Sequence, residues 1–396
     1  MKTITSESTS PAITNLSQGN RVLERAFNLC VNKTRSNIKR LAAEPKSAAL
    51  APDGNYFNWD EDFYEIGNWT SSFFTGMALL AWREVEDEFF LKQVLHLAPF
   101  YREKVFHRHL DTHHDLGFLY TLFSVALYKL TRGREHREVG LRAADMLSQR
   151  FNPQGNFIRA WGRMDTDEFK DMAIIDCLMN LPLLHWASGE TGDNKYHDIA
   201  VKHADTTLKY FVRADDSVFH AYRFNVQTGK PLGGDTYGGC AVDSHWARGT
   251  AWAIYGFALS YGYTHDRKYL EASLRLARKF IANLDEEVVP LWDFKLPATG
   301  HEFIRDASAA AVAVCGMQEL EKHRAADAAI VKARNALLHR LCGEDYLNSD
   351  SSCPGVLKNC QVGDGNGGGK NAYTSWGDYF LMEALARELF RVETWW

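Results

Sequence analysis

Two kinds of helical segment alternate along this chain. In one kind, apolar and small residues occupy nearly every face, as in residues 117–128 (GFLYTLFSVALY), and in the other kind charged residues occupy one face only. This periodicity predicts twelve helices, with short strands only around residues 217–224 and 289–296. The predicted helices span residues 20–41, 72–84, 87–107, 116–132, 136–150, 172–188, 194–214, 245–264, 267–284, 306–322, 326–342 and 374–392.

The predicted helices form consecutive pairs, most of them a buried helix followed by an amphipathic one. A repeat of about 45 to 75 residues of this kind is typical of a closed ring or a solenoid. We therefore predict an all-α fold, a six-hairpin (α/α)6 barrel of twelve helices in a single domain at residues 19–396, after a flexible N-terminal tail at residues 1–18. An open solenoid is the alternative, although it would show more uniform repeats and polar caps.

Five long connections between the predicted helices are rich in Trp, His and Gly. In a helical barrel, the loops at one end of the inner helices surround a single concave pocket. Loops of this length in a compact domain usually carry function. We expect the functional end of the barrel to be built from residues 51–69, 152–170, 215–244, 285–305 and 343–373.

Asp176 lies in the middle of an apolar segment, residues 171–188, which we predict to be a buried helix. An ionised Asp in such surroundings carries a large desolvation cost, so either a partner holds it or its pKa is raised. Both conditions suit a catalytic acid. The structural alternative is an Asp that caps a helix or hydrogen-bonds within the core.

Asp115 begins the preceding buried helix, within residues 113–118 (HHDLGF). Successive inner helices of a barrel are neighbours, so Asp115 and Asp176 can face each other. Two close carboxylates raise each other's pKa and titrate as a pair, and we expect their repulsion to leave one proton on Asp176. Asp115 could instead be the N-cap of its helix.

Two inner helices carry candidate substrate contacts at a four-residue spacing, Trp69 with Phe73 and Arg248 with Trp252. Arg248 at the mouth of a buried helix suits either a fork for a substrate carboxylate or an ion pair with a structural carboxylate. Tryptophan beside Asp, His and Arg is frequent in carbohydrate sites, although Trp in a core is commoner. Two further candidates lie in the long loops, Trp161 and His220.

Composition and spacing exclude several classes of function. The net charge of −5, without a basic cluster, argues against a nucleic-acid partner. The chain has no apolar run of membrane-spanning length, and from its polar N-terminal residues we expect no signal peptide and no membrane partner. Seven scattered cysteines without a CxxC pair indicate a reduced, cytoplasmic protein, which we expect to be a monomer or a homodimer.

Asp111, His113 and His114 lack the spacing of a zinc motif, so we expect no metal and no other cofactor.

Several motifs resemble those of the unsaturated glucuronyl hydrolases, glycoside hydrolase family 88, over most of the chain. The similarity is carried by Trp69-xxx-Phe73-xx-Gly76-Met77, His114-Asp115-Leu116-Gly117-Phe118, Ile174-Ile175-Asp176-Cys177-xx-Asn180-Leu181, Asp243-Ser244-x-Trp246-Ala247-Arg248-Gly249-x-Ala251-Trp252, Arg305-Asp306-x-Ser308 and Trp376-Gly377-Asp378-Tyr379. The resemblance implies a six-hairpin α/α barrel. It also implies that Asp176 is the general acid and base, that Asp115 is its partner, and that the substrate contacts are Trp69, Phe73, His114, Trp161, His220, Arg248 and Trp252.

The activity that this resemblance implies is hydrolysis of lyase-generated oligosaccharides such as glycosaminoglycan disaccharides. The enzyme would release a terminal 4,5-unsaturated glucuronic acid by hydration of its C4=C5 double bond. Gly238 departs from the family pattern, because relatives often carry Gln there, and the change removes a side-chain donor near the substrate. The alternatives are an unsaturated rhamnogalacturonyl hydrolase, a sugar epimerase that uses paired histidines, and a sugar-binding barrel without activity.

Overall fold

We describe the fold from a computed structural model, which defines residues 18–43, 50–51, 63–296, 303–363 and 371–396. Of the predicted tail at residues 1–18, only Gln18 lies within these ranges, as the first residue of α1. The helices are α1 Gln18–Ala43, α2 Ser71–Val85, α3 Glu88–Leu95, α4 Ala98–Phe106, α5 Leu116–Tyr120, α6 Ala126–Thr131, α7 Arg134–Gln149, α8 Leu181–Thr191, α9 Asn194–Tyr210, α10 Ala247–Thr264, α11 Arg267–Ala282, α12 Ala307–Lys322, α13 Ala328–Leu341 and α14 Ser375–Phe390.

Six helical segments form a closed inner ring. A π-helical turn, Thr121–Val125, joins α5 to α6 into one segment, and a 3-10 turn, Ile175–Met179, precedes α8. Each inner segment contacts the next in the order α2, α5–α6, α8, α10, α12 and α14, and α14 returns to contact α2. The remaining segments, α1, α3–α4, α7, α9, α11 and α13, pack outside this ring. The described residues therefore confirm the predicted (α/α)6 barrel, although the helix predicted at residues 87–107 is interrupted between α3 and α4.

The outer helices α9 and α11 begin at aspartates that cap them. The Asp193 side chain accepts a hydrogen bond from the backbone N–H of Lys195 at 2.9 Å, and Asp266 accepts one from Lys268 at 3.1 Å. Such caps satisfy backbone N–H groups that have no partner within the helix. The sequence Asp-x-Lys-Tyr, which occurs at residues 193–196 and 266–269, thus marks the start of α9 and of α11.

Short strands lie only in the connections, among the residues that the structure describes. β1 Leu50–Ala51 pairs with β7 Tyr373–Thr374, and β2 Phe151–Asn152 pairs with β3 Phe157–Ile158. An antiparallel sheet of three strands has the order β4 Met172–Ile174, β5 Ala221–Phe224 and β6 Pro231–Asp235. The strand predicted around residues 217–224 is confirmed as β5, whereas residues 289–296 form only isolated bridges in the described structure.

The prediction of one buried helix across residues 172–188 is wrong in its first half. Met172 to Ile174 are extended because they pair with strand β5, and residues 175–179 form a 3-10 turn. Pro182 stands in the first turn of α8, a position that suits proline because that backbone N–H needs no partner within the helix. Asp176 consequently lies in a tight turn at the start of an inner helix, not within its length.

Glycines allow the inner segments to approach the turn that carries Asp176. A Cβ atom at Gly117 would lie 2.3 Å from the Cα of Asn180, and one at Gly256 would lie 2.4 Å from the Cβ of Leu178. Neither distance is tolerated between non-bonded carbon atoms. Gly117 therefore lets the start of α5, where Asp115 lies, pack directly on the turn at residues 175–179.

A buried polar network links α10, α14 and Trp396 inside the inner ring. The carboxylate of Glu383 accepts hydrogen bonds from the hydroxyls of Tyr255 at 2.6 Å and Tyr379 at 2.7 Å, and from the indole N–H of Trp396 at 2.8 Å. The Trp396 ring also stacks on Phe380, with centroids 6.0 Å apart. The side chain of Trp396 thus packs inside the inner ring.

No helix in the described ranges combines the length and the apolar character that a membrane span requires.

The close contact at Gly117 predicts that Gly117→Ala destabilises the protein. The added methyl group would overlap the backbone of Asn180, and overpacking of this kind costs about 1–3 kcal/mol. Gly189→Ala on α8 is the matched control, because a Cβ there meets nothing within 4 Å and the change should stabilise the helix by up to about 1 kcal/mol. Chemical denaturation measures both changes. Equal stabilities of Gly117→Ala and wild type would contradict the close approach of α5 to this turn.

Candidate active site

A cavity of about 680 Å³ opens at the end of the barrel where the inner helices begin. Its volume is that of an ordinary ligand pocket. Four of the five connections that we expected at the functional end contribute to its walls, whereas no described residue of 285–305 does. The lining residues are Glu65, Ile66, Gly67, Trp69, His113, Asp115, Trp161, Gly162, Arg163, Glu168, Phe169, Asp176, His220, Tyr237, Gly238, Trp246, Arg248, Trp252, Val362, Gly363 and Trp376.

The structure brings most of the predicted site residues to this cavity, namely Trp69, Asp115, Trp161, Asp176, His220, Arg248 and Trp252. The other two, Phe73 and His114, have no exposed area. Phe73 packs edge-on against Trp69, with ring centroids 5.7 Å apart. His114 lies beside Asp115, with its Nε2 atom 3.5 Å from Asp115 Oδ2. In this structure Phe73 and His114 therefore support the cavity wall and do not form its surface.

Buried Arg150, directly after α7, holds two loops of the cavity wall together. Its guanidinium donates hydrogen bonds to the backbone carbonyl of Thr112 at 3.0 Å and to that of Trp161 at 2.9 Å. Further backbone carbonyls accept from the same side chain, those of Arg159, Ala160 and Gly162. Because Thr112 precedes the segment that carries His113 and Asp115, Arg150 fixes the Trp161 loop against that segment.

Asp115 is almost fully enclosed, with 3% of its surface exposed. Its Oδ1 atom accepts a hydrogen bond from Asn180 Nδ2 at 3.2 Å, and its Oδ2 atom lies 3.1 Å from His113 Nδ1. Asp115 occupies the N-cap position of α5, but its carboxyl group makes no capping hydrogen bond to the described backbone. The alternative that Asp115 is only a helix cap is therefore wrong.

Asp176 presents its carboxyl group to the cavity from the 3-10 turn. Its Oδ1 atom is buried and has no hydrogen-bond partner among the described residues. Burial raises the pKa of Asp176 to about 7. Hydrogen bonds from its own backbone N–H and from that of Cys177, together with the positive charge of Arg248, oppose this rise. A carboxyl group of this kind exchanges its proton near neutral pH.

The two carboxyl groups influence each other across the cavity wall. Burial, and secondly the charge of Asp176, raise the pKa of Asp115 well above its usual value, whereas Asn180 and Arg150 oppose the rise. The expected repulsion thus contributes at Asp115, whereas the rise at Asp176 has burial as its cause. Burial is the main cause of the raised pKa at both residues.

The histidines near this pair are uncharged at neutral pH. Burial lowers the pKa of His113 to about 3 and that of His220 to about 3, and it lowers the pKa of His114 well below its usual value. Arg150 adds to the effect at His113 and His114 because its positive charge disfavours a second cation. Of the side chains around Asp115 and Asp176, the carboxyl groups and not the histidines therefore titrate near neutral pH.

His113, His114 and Asp115 bring three atoms that could ligate a metal within 4.8 Å of one another. Arg150 and Lys104 both place positive charge near His113, which opposes the binding of a cation. Asn180 also occupies one oxygen of Asp115. We assign no metal to this cluster.

Arg248 is held by a structural carboxylate, as the ion-pair alternative predicts. Its Nη1 atom lies 2.6 Å from Asp306 Oδ2 and also donates to the backbone carbonyl of Gln361, and its Nη2 atom donates to the carbonyl of Val362 at 2.8 Å. The guanidinium also lies over the ring of Trp246, 4.8 Å from its centroid. Arg248 still lines the cavity, so it offers a fixed guanidinium edge whose charge is balanced by Asp306.

Sequence reasoning did not assign four aromatic residues that form part of the wall, Phe169, Tyr237, Trp246 and Trp376. Trp376 lies beside Trp69 with ring centroids 4.7 Å apart, Trp246 lies 4.4 Å from His220, and Tyr237 lies 4.9 Å from Trp161. Trp246 and Trp376 stand within the motifs that carry the family resemblance, which was the available signal. Tyr237 had no signal beyond its place in a long loop.

Gly238 packs against the indole of Trp246. A Cβ atom at this position would lie 2.9 Å from Cζ2 of Trp246, so a Gln here requires the indole to move. The carbonyl of Gly238 accepts a hydrogen bond from the indole N–H of Trp292 at 2.7 Å. Because residue 238 is glycine, there is room for the indole of Trp246 at this place in the cavity wall. The N–H of that indole is buried and has no hydrogen-bond partner among the described residues.

The chain is similar in sequence to proteins of known activity. Residues 39–383 match the family model described as Glycosyl Hydrolase Family 88. The unsaturated glucuronyl hydrolase of Bacillus sp. (strain GL1) is 34% identical over 332 residues, which are 81% of this chain and 86% of that protein. The unsaturated chondroitin disaccharide hydrolase of Streptococcus pneumoniae (strain ATCC BAA-255 / R6) is 39% identical over 326 residues, 81% of each chain.

Solved structures are similar over the whole barrel. The crystal structure of the Bacillus sp. GL1 unsaturated glucuronyl hydrolase matches with a TM-score of 0.85 at 31% identity, covering 93% of this chain and 97% of that chain. A variant of the Streptococcus agalactiae unsaturated glucuronyl hydrolase, complexed with dGlcA-GalNAc6S, matches with a TM-score of 0.78 at 28% identity, covering 100% of this chain and 99% of that chain.

The raised pKa of Asp176 predicts a pH-dependent effect on stability. An Asp with a higher pKa in the folded state favours folding below its unfolded value, near 3.8, and this contribution is lost as the pH rises through about 7. Asp176→Asn removes the charge that would be buried at high pH. The melting temperature of the variant, relative to wild type, should therefore be a few degrees higher at about pH 8 than at about pH 5.

Asp198→Asn, exposed on outer helix α9, is the matched control, and its melting temperature should follow that of wild type at both pH values. If Asp176→Asn differs from wild type by the same amount at both pH values, Asp176 does not carry a raised pKa.

Proposed function

This chain belongs to glycoside hydrolase family 88, and we propose that it removes the terminal 4,5-unsaturated glucuronic acid from oligosaccharides left by polysaccharide lyases, with Asp176 as general acid and base. The substrates are short glycosaminoglycan-type fragments such as unsaturated disaccharides. One observation carries this proposal: the carboxyl groups of Asp115 and Asp176, from consecutive inner segments, share one sugar-sized cavity, and burial raises the pKa of Asp176 to about 7.

The unsaturated sugar is a cyclic enol ether, and its hydration defines what the site must supply. A proton added at C4 leaves an oxocarbenium-like centre at C5, and water then adds at C5. The resulting hemiketal opens and releases the neighbouring sugar. The reaction needs one group that first donates a proton and then accepts one from water, which is general acid–base catalysis by a single residue.

Asp176 meets this requirement by its position and its proton affinity. General acid–base catalysis is most efficient when the pKa of the catalytic group lies near the working pH. At a pKa of about 7, Asp176 is present in both protonation states near neutrality. Asp176 also lines the cavity, so its carboxyl group lies beside the space that the substrate would fill.

The walls of the cavity suit an anionic sugar ring. Trp69, Trp161 and Tyr237 line it and keep part of their surface exposed, and aromatic faces pack well on the C–H surfaces of sugars. We propose that the uronate carboxylate lies near Arg248. Because Asp306 balances the charge of Arg248, the attraction there comes from directed hydrogen bonds rather than from net charge.

The enol ether needs no metal or organic cofactor for this reaction, and we propose that none is used.

We also propose a cytoplasmic location and a monomeric or homodimeric state. All seven cysteines lie within the described residues and none forms a disulfide, which is typical of a reducing compartment.

Loss of the absorbance of the C4=C5 double bond on unsaturated disaccharides tests the proposal. Asp176→Asn should fold, and its kcat should fall by about 10²- to 10⁴-fold, the usual contribution of general acid–base catalysis. The wild-type kcat should fall as the pH rises above about 7, because Asp176 then loses the proton that it must donate.

Asp198→Asn on α9 is the control and should keep wild-type kcat. Full activity of Asp176→Asn would exclude it as the acid. Turnover of unsaturated rhamnogalacturonan fragments in place of chondroitin or hyaluronan disaccharides would assign the related pectin-directed activity.

A further inference from the structure

The Trp161 loop, residues 161–171, leaves the barrel and returns to the place where it left. The backbone N–H of Ala160 donates to the carbonyl of Met172 at 2.9 Å, so the residues on either side of the loop are joined. Compact loops whose ends lie close together are frequently functional. Five residues of this loop line the cavity: Trp161, Gly162, Arg163, Glu168 and Phe169.

The buried side chain of Arg159 joins the two limbs of this loop. Its Nε atom donates to the carbonyl of Trp161 in the first limb at 3.0 Å, and its Nη2 atom donates to the carbonyl of Glu168 in the second limb. Among the described residues, each hydrogen bond of this guanidinium goes to the loop. Arg150 also binds the carbonyl of Trp161, but in the described structure it makes no hydrogen bond to the second limb. Arg159 therefore determines the distance between the limbs.

The backbone next to these hydrogen bonds adopts conformations that need support. Phe169 directly follows Glu168 and has a φ of 50°, in the left-handed region, which is rare for a bulky side chain. Gly162 has a φ of 76°, and a Cβ atom there would lie 2.3 Å from the carbonyl oxygen of Glu168. Such conformations persist only where the surroundings impose them, and they are concentrated at functional sites. Arg159 supplies that constraint, because it holds the carbonyl that precedes Phe169.

The loop contributes two aromatic rings to the cavity wall, and Tyr237 adds a third beside them. The Trp161 ring lies edge-on to that of Phe169, with centroids 5.8 Å apart, and to that of Tyr237, with centroids 4.9 Å apart. These three side chains keep part of their surface exposed, whereas Trp252 and Trp376, which also line the cavity, are 1% and 0% exposed. The three rings therefore lie where the cavity meets the solvent.

In the proposed reaction, the unsaturated uronic acid lies against Asp176, and the sugar linked to it continues towards the solvent. We infer that Arg159 is a positioning residue, which holds Trp161 and Phe169 in place as the contact surface for the sugar that the reaction releases. The role of these rings as a sugar contact rests on the proposed function. Contacts to the released sugar are the same before and in the protonation step, so they should lower KM and leave kcat unchanged.

Two substrates that differ only in the group beyond the glycosidic oxygen test this role. One is an unsaturated chondroitin disaccharide, and the other is the methyl glycoside of the same unsaturated uronic acid, which has no second sugar. Loss of the C4=C5 absorbance measures the hydrolysis of both. For wild type, KM should be about 10- to 100-fold lower for the disaccharide, because only its second sugar reaches the aromatic rings.

Arg159→Met removes the guanidinium and keeps an unbranched side chain. Its KM for the disaccharide should rise by about tenfold or more, while its kcat and its KM for the methyl glycoside stay within about twofold of wild type. Arg142→Met on α7 is the matched control and should keep both KM values. The Arg142 guanidinium also donates to a backbone carbonyl, that of Val105 at 3.1 Å, but neither residue lines the cavity.

An equal loss of activity on both substrates in Arg159→Met would show a general structural role and would overturn the inference, as would an unchanged KM for the disaccharide. If Arg159→Met does not fold, Gly162→Ala decides the question, because its methyl group would push the carbonyl of Glu168 away from the same arrangement. This variant should show the same selective rise in KM, and its absence would overturn the inference.

The wild-type enzyme separates the inference from the proposed function. Absence of turnover of both substrates would overturn the proposed function. Turnover of both with equal KM values would leave the proposed function in place and would overturn the inference alone.

Discussion

The site depends on one close contact, that of the start of α5 with the turn at residues 175–179. Gly117 has no side chain, so the backbone of α5 can lie directly on Asn180. Asn180 then joins the two segments, because its side-chain oxygen accepts from the backbone N–H of Phe118 at 2.7 Å and its Nδ2 atom donates to Asp115. This arrangement brings Asp115 and Asp176 to one cavity wall. A wider separation of the two segments would leave each carboxyl group in its own surroundings, and the electrostatic coupling between them would be lost.

Burial gives this pair its proton affinity, and the surrounding charges are arranged so that they do not cancel it. Arg248 could hold Asp176 fully ionised, but Asp306 balances its charge. Arg150 uses its guanidinium on backbone carbonyls and makes no ion pair with Asp115. The histidines are neutral because they are buried beside these cations. Aromatic rings form much of the remaining wall, and they exclude water that would otherwise lower the cost of a buried charge. The hydrogen-bonded network around Glu383 lies further along the inner helices than the cavity. The raised pKa that keeps Asp176 partly protonated at neutral pH thus depends on residues from several inner segments.

The sequence was sufficient to predict the barrel and the two acids, because helical periodicity and a carboxylate in an apolar segment are both local signals. It was insufficient where distant contacts decide the local structure. Residues 172–174 read as helix, but they are extended because strand β5, about fifty residues later, pairs with them. Motif membership did not show which side chains face the cavity, so Phe73 and His114 were assigned to a surface behind which they lie. Two contacts depend on three-dimensional geometry that no sequence spacing encodes. One is the ion pair of Arg248 with Asp306, and the other is the contact between His113 and the carboxyl group of Asp115.

Direct titration of the Asp176 carboxyl carbon tests the central claim most sharply. NMR spectra of protein labelled with 13C at aspartate carboxyl carbons, compared with those of Asp176→Asn, assign its resonance and follow it with pH. The account predicts a titration midpoint near 7, far above that of an ordinary aspartate, near 3.8. A midpoint near 4 would show that Asp176 is ionised throughout the working range, and it would contradict the assignment of Asp176 as the proton donor.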